Sequence, residues 1–431
     1  MRYHYLDKLR AIMMMLGLVL HSAVSFMAGS VKASWPYRDP MTSEFLKFAV
    51  LWIHSYRMHI FFLASGFFFM LLVERKSLKK MLENRVLRIL LPMILFWMIV
   101  YPPTAGGFLY GMSINLAEPL TTLQSFFSNP WQMSGPEYAF MADFQRQTLN
   151  EFGWLHLWFL YHLFLYCMIG AALIVLLKPI TSKLNQKVKT ASIRWPLQIL
   201  TRPLAFGTLI GIALVLAQKP LFDTSDRLIP FAETFILYGL FFLSGALIYK
   251  AKDFLDKIEG KTLKNLLLGS LSFVLFYVFL NQVIKFFTIE NHTFLGLSKE
   301  LTFLSTCFLS GWTTVFFVMG FLGLFKKFAD TPSPFWSYIL QSSYAVYILQ
   351  LPFTIWIPIL LRDFQAPALL KFSVTLSGTT LVTFLIYNYA IRPSWVGKLL
   401  NGKKYASLDL HHLGWKKSAK DVFANSQEPA I

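Results

Sequence analysis

Apolar residues run through this chain in blocks of about twenty, separated by short polar stretches. That is the length a helix needs to cross a hydrocarbon core of roughly 30 Å at 1.5 Å per residue. Blocks near 9–27, 49–73, 86–101, 153–177, 204–217, 230–249, 264–284, 301–324, 338–358 and 371–391 predict membrane-spanning helices. The fifth, "LAFGTLIGIALVLA", is short and is expected to begin earlier. The predicted fold class is therefore all-α, a polytopic membrane bundle of about ten transmembrane helices.

Lys and Arg orient the spans. With the N-terminus in the cytoplasm, "ERKSLKKMLENRVLR", the 178–203 and 250–264 loops and the C-terminal tail all lie inside. Most of the 40 Lys and Arg then lie on that side, as the positive-inside rule requires. An even number of spans puts both termini in the cytoplasm, and a multi-pass protein of the inner (plasma) membrane is expected. Residues 1–394 read as one membrane domain, and 395–431 as a polar, partly disordered cytoplasmic tail. The loop from about 102 to 152 contains Pro102, Pro103, Trp131 and Pro136. It is too long for a plain connection and is expected to lay re-entrant or amphipathic pieces over an outer cavity. No internal repeat is visible.

Composition agrees with this reading. The chain is 55% hydrophobic and 14% charged, against about a quarter charged in soluble domains. A net charge of +18 suits nucleic acid in principle. Here, however, the basic residues sit between apolar runs, which is the pattern of topology signals and anionic lipid. The bilayer is the implied partner, and no nucleic acid is expected. Cys167 and Cys307 lie inside apolar runs without metal-ligand spacing or a disulfide framework. The first apolar run is long and lacks a clear cleavage site, so a cleavable signal peptide is not expected.

The chemistry lies in polar residues within the spans. In "YLDKLRAIMMMLGLVLHSAVSFM", Arg10 and His21 are eleven residues apart. At about 100° per residue they share a helix face, separated by roughly 16 Å along the axis. Asp7 lies one turn before Arg10, and Gly17 leaves room between them. Such a stripe should face a cavity or the bundle interior, and an imidazole there can exchange a proton near neutral pH. A hydrogen bond to a neighbouring helix explains a lone intramembrane histidine as well. A charged pair at a helix end is ordinary.

The second span carries "IHSYRMHIFFLASGFFF", with His54, Arg57 and His59. Arg57 either snorkels to the outer headgroups or lines the cavity of His21. Ser65 and Gly66 suit close helix packing. In "NRVLR", Arg85 and Arg88 project from one face. They make a phosphate clamp or serve only the charge rule. In "WLHLWFLYHLFLY", Trp154, Trp158 and Tyr161 suit the outer interfacial belt. His156 and His162 are six apart and point to nearly opposite faces. No HExxH, P-loop or dinucleotide glycine pattern is present, and no metal site is expected.

Taken together, these motifs resemble the acyltransferase 3 family. Arg10 and His21 match its R-x10-H signature, and "NRVLR" matches its R-x-x-R. "FFLASGFFF", "HLWFL", "FFLSGALIY" and "SSYAVYILQLPF" follow in the family's order over about 5–355. Within the family, the glucan-succinylating branch is the most similar. The resemblance implies an O-acyltransferase that uses acyl-coenzyme A as donor and no metal. Its phosphates would meet Arg85, Arg88 and Arg10. His21 would be the general base, and Asp7 would either orient Arg10 by an ion pair or only cap the helix start. Arg57 or His156 would steady the oxyanion or the sugar, with Trp158 in the acceptor site. The acceptor would be an envelope glycan or glucan hydroxyl, and the acyl group acetyl or succinyl. An acyl-histidine intermediate also fits. The branch usually has a histidine where this chain reads "YILQLP", with Gln350 and Leu351, so the acceptor step is expected to differ. The rivals are a transporter with a His/Arg pathway, which predicts inverted repeats, and a non-catalytic scaffold.

Overall fold

A computed structural model of the chain describes residues 3–29, 35–114, 153–183, 196, 198–200, 202–222, 224–225, 227–251, 253–289 and 292–407. Among these residues there is no strand, only isolated bridges, and the helices form one bundle. They are α1 (His4–Val24), α2 (Glu44–Lys76), α3 (Leu78–Arg85), α4 (Leu91–Ser113), α5 (Trp158–Lys183), α6 (Pro203–Leu216) and α7 (Ala232–Lys250). After them come α8 (Asp253–Glu259), α9 (Thr262–Thr288), α10 (Lys299–Ala329), α11 (Pro334–Leu360), α12 (Ala368–Leu385) and α13 (Trp395–Asn401). A π-helical turn, Val86–Leu90, joins α3 to α4, and a second, Ile386–Ile391, extends α12.

Eight helical stretches among the described residues are long and apolar enough to cross a membrane. They are α2, α3–α4, α5, α7, α9, α10, α11 and α12 with its π-turn. Apolar α6 has 14 residues, and α1 has 21 but carries Asp7, Lys8 and Arg10 in its first two turns. With these two, the spans fall in the predicted order, and the protein is an all-α polytopic bundle.

The third span differs from its predicted extent of 86–101. It runs from Leu78 to Gly111 and continues through Pro102 and Pro103. Proline in a helix removes a backbone donor. In a membrane the freed carbonyls must then find other partners. The Thr104 hydroxyl donates to Val100 O at 2.7 Å, and the Trp356 indole donates to Pro103 O at 2.7 Å. The carbonyls freed are those of Met98 and Ile99, four residues before each proline, and these two bonds hold neighbouring carbonyls of a helix that runs on past the prolines. Residues 115–152, where the re-entrant pieces were expected, lie outside the described residues.

The first part of the predicted tail packs onto the bundle. Ser394 caps α13 by accepting from Gly397 N, and Gly402 ends it in the left-handed region at φ +81°. Leu400 is buried, and Asn401 Nδ2 donates to the Tyr387 hydroxyl at 3.2 Å. Residues 408–431 lie outside the described residues.

Helix α1 packs against α2, α10, α11 and α12, so its polar stripe faces other helices rather than lipid. Small residues set the close approaches. A Cβ on Gly66 would run into the Phe242 carbonyl, and one on Gly245 into the Leu63 carbonyl. This reciprocal pair seats α2 against α7. Met98, Leu176, Leu271 and Leu381 point outward, as lipid-facing residues do.

Candidate active site

A cavity opens at the end of the bundle where α1 begins. Asp7, Arg10 and Met14 line it from α1, and Phe61, Ser65, Phe68, Leu71 and Arg75 from α2. Their spacings of three and four residues keep each set on one helix face. Arg85 ends α3, Arg88 lies in the π-helical turn, and both line the same cavity. Tyr344 of α11 donates from its hydroxyl to Arg88 O at 3.1 Å, which supplies a partner for a carbonyl in the irregular turn. The Arg88 guanidinium lies directly against Gly402, where a Cβ would displace it. Asn401 and Tyr405 complete this wall.

The cavity is cationic. Four arginines line it, with Asp7 as the carboxylate among its lining residues. The Arg10 guanidinium lies 5.0 Å from the Phe68 ring centre and 5.6 Å from that of Phe61, close enough for cation–π attraction. The Nε atoms of Arg10 and Arg85 are buried without a hydrogen-bond partner. Buried guanidinium N–H groups with no acceptor make a site ready for an anion.

Met14 and Phe61 mark the inner limit of the cavity. One turn further along α1 is Gly17, and the Arg57 guanidinium lies directly on it. Arg57 is 7% exposed, so it faces the α1 stripe rather than snorkelling to the headgroups. Gln350 of α11 approaches the same spot, its Nε2 3.6 Å from where a Gly17 Cβ would stand. Gln350 is fully buried, and neither atom of its amide has a hydrogen-bond partner.

His21 lies one further turn along. Its Nδ1 is buried and unpartnered, while the residue as a whole is half-buried. The His156 ring stands edge-on to it at 6.4 Å. His156 Nε2 is 2.9 Å from Ile348 O. A carbonyl only accepts, so Nε2 carries the proton, and in the neutral ring the unpartnered Nδ1 keeps its lone pair. The Tyr347 hydroxyl donates to His156 O and fixes the backbone there.

On the far side of His21, the Trp35 ring lies 6.1 Å away, and its indole donates to Ser25 Oγ at 2.8 Å. The segment carrying Trp35 is anchored by a buried ion pair, Lys371 Nζ to Asp39 Oδ2 at 2.7 Å, with side chains 2% and 0% exposed. Asp39 also accepts from Met41 N at 2.9 Å and from the Tyr37 hydroxyl at 3.3 Å. Burial, and then the Asp39 carboxylate, push the Tyr37 pKa up, so the phenol keeps the proton it donates.

The structure thus brings the predicted site residues into two groups on one face of α1. Asp7, Arg10, Arg85 and Arg88 share the cavity, and Arg57, His21 and His156 stand deeper. Trp158 belongs to neither group. It is 6% exposed, and its ring packs with His162, Tyr238 and Phe62. Trp154 is 7% exposed. Neither tryptophan faces the headgroups, so the expected interfacial belt does not form there. His156 and His162 do diverge, His162 lying against Phe235 at 5.3 Å. No cluster with metal-ligand composition occurs among the described residues.

Sequence reasoning missed several neighbours of the site. Lys371 inside an apolar run was a usable signal, since intramembrane charges are costly and seek partners. Trp35 and Tyr405 carry no such signal, because only the packed fold brings them to the site. Gln350 stood out only as a departure from a motif.

A family model described as an acyltransferase domain matches residues 3–388, from the start of α1 into the last turns of the tenth span. The chain therefore belongs to the acyltransferase 3 family, and the bundle is a membrane acyltransferase. Among curated proteins it is similar to glucans biosynthesis protein C of Escherichia coli strain K12, strain SMS-3-5 and O1:K1 / APEC. Each is 34% identical over 93 residues, which cover 22% of this chain and 23% of the relative. The matched segment spans about a quarter of the length of these relatives. No solved structure matches the chain.

Proposed function

We propose that this enzyme transfers an acyl group, acetyl or succinyl, from cytosolic acyl-coenzyme A to a hydroxyl of an envelope glycan. One observation carries the reading. A single face of α1 joins the four-arginine cavity to the His21–His156 pair, and Arg57 and Gln350 meet at Gly17 on the stretch between. The eleven residues from Arg10 to His21 rise roughly 16 Å, a gap that a pantetheine arm can bridge.

The chemistry follows from the residues. Coenzyme A phosphates pair with Arg85, Arg88 and Arg10, and Arg75 lines the same cavity. Asp7, at the same mouth, orients Arg10. The arm passes Met14 and the Arg57 guanidinium that covers Gly17, which brings the thioester beneath His21. The acceptor hydroxyl enters from the Trp35 side. His21 takes its proton as oxygen attacks the thioester carbonyl. Arg57 stabilises the charge that develops on the carbonyl oxygen, and His156 positions the acceptor. No step requires a metal. The 93-residue similarity to glucans biosynthesis protein C supports a glucan acceptor. The excess of Lys and Arg on one side supports an arginine mouth facing the cytosol, with both termini there, in the inner membrane.

The test is His21→Ala, with mass spectrometry of envelope glycans. Glycans from variant cells should lack the acyl groups while protein abundance stays normal. Unchanged acylation removes His21 from the chemistry. Lost solute uptake with intact acylation favours a transporter.

A further inference from the structure

The fully buried amide of Gln350 has no hydrogen-bond partner on either its Oε1 or its Nε2. Leaving such a group unsatisfied is costly, and a fold keeps one where something else completes it. Arg57 Nε is in the same condition. Both side chains converge on Gly17, whose surface the Arg57 guanidinium covers. Gln350 Nε2 is 3.6 Å from where a Cβ would stand there, and Arg57 Nη1 is in hard contact with that position. Gln350 Nε2 and Arg57 Nε are donors, on α11 and α2, and Gln350 Oε1 is an acceptor, so what the two donors lack is an acceptor.

We propose that Gln350 and Arg57 together bind the thioester carbonyl oxygen of the acyl donor, with the acyl carbon beside the Arg57 guanidinium at the level of Gly17. The inference rests on the acyl-transfer reading above. Its geometry agrees with the position of the base. Gly17 and His21 are four residues apart, which is about 6 Å along the helix. An attacking oxygen stands about 3 Å from the carbonyl carbon and a further 3 Å from the base nitrogen. One acceptor hydroxyl therefore fills the gap.

In the step, the acceptor oxygen forms a C–O bond to the acyl carbon and gives its proton to His21. The carbonyl π pair moves onto oxygen, where Gln350 Nε2–H and the Arg57 guanidinium hold it. On collapse the C–S bond breaks, and the leaving thiolate takes the proton from His21. Gln350 is thus a catalytic residue for this chain, standing near the position where the resembling branch usually has a histidine.

The test uses the full chain in lipid nanodiscs and two probes. Acetyl-coenzyme A carries the carbonyl, and S-ethyl-coenzyme A replaces it with a methylene. Wild-type protein should bind the thioester about ten-fold more tightly, on the order of one hydrogen bond to a buried donor. Gln350→Met should bind S-ethyl-coenzyme A as the wild type does, which also reports an intact fold, and should lose the preference for the thioester. Its transfer kcat should fall about 10²–10³-fold. Equal wild-type affinity for the two probes overturns the proposal, as does a full preference retained in Gln350→Met. If neither probe binds wild type, the donor reading itself fails, a result distinct from the first two.

Discussion

Substituting Gly17 with alanine adds one methyl group where the Arg57 guanidinium packs on α1, between the arginine cavity and His21. Its Cβ would land on the Arg57 Nη1, with Arg57 Cζ at 3.3 Å and Gln350 Nε2 at 3.6 Å. Arg57 is 7% exposed and Gln350 is fully buried, so neither has free space to retreat into. Overpacking of this kind costs about 1–3 kcal/mol. Alanine in a helix interior recovers up to about 1 kcal/mol relative to glycine. The net loss of stability should therefore be about 0–2 kcal/mol, and the bundle should still fold. Activity should respond far more. A displacement of about 1 Å at the reacting groups costs on the order of 10²-fold in rate, and the added methyl pushes the Arg57 guanidinium from its place on Gly17. Purified Gly17→Ala should therefore bind coenzyme A at the arginine mouth with near wild-type affinity and lose about 10²-fold or more in acyl transfer. Gly260→Ala is the control, because a Cβ there meets only Lys257 O at 4.0 Å. Wild-type transfer by a folded Gly17→Ala protein would refute the claim that substrate passes over this face.

Three further outcomes follow from the same geometry. Arg85→Ala with Arg88→Ala should weaken coenzyme A binding by about 10–100-fold, measured by calorimetry, and flatten its salt dependence. Wild-type affinity would remove both from the donor site. Lys371→Ala leaves Asp39 buried and unpaired, at a cost of about 3–5 kcal/mol. Thermal unfolding should show a marked loss, which Lys371→Met with Asp39→Leu should partly restore. A melting temperature unchanged in Lys371→Ala would mean the ion pair adds nothing to the outer segment. Tyr405→Ala removes a cavity wall, together with the ring 5.5 Å from the Arg392 guanidinium. Donor affinity should drop several-fold with little change in kcat, and a change confined to kcat would contradict a donor-side role for α13.

The spans were legible because lipid imposes a length and a composition on each helix separately. The Arg10–His21 face was legible for a similar reason, since helical periodicity alone puts the two side chains on one stripe. The limits of the third span were not. Pro102 and Pro103 read as a stop, yet the helix continues through them, and Trp356 donates to Pro103 O from 253 residues away. Trp154 and Trp158 have the composition of an interfacial belt, but packing against α2, α4 and α7 buries them. The Asp39–Lys371 anchor joins residues 332 apart, and neither partner names the other from sequence. Arg57 posed a choice that only depth and packing decide, and Gly17 decides it by leaving space for a guanidinium. Gln350 is the clearest case of a residue whose meaning is tertiary. Its isolation from hydrogen-bond partners becomes visible only once α11 is docked against α1.

The central claim is that one face of α1 serves donor and base at two depths. The most direct test is acyl transfer by purified His21→Ala in nanodiscs, with coenzyme A affinity measured on the same preparation. The account predicts unchanged affinity and a rate lower by at least about 10²-fold. Transfer at the wild-type rate would contradict it.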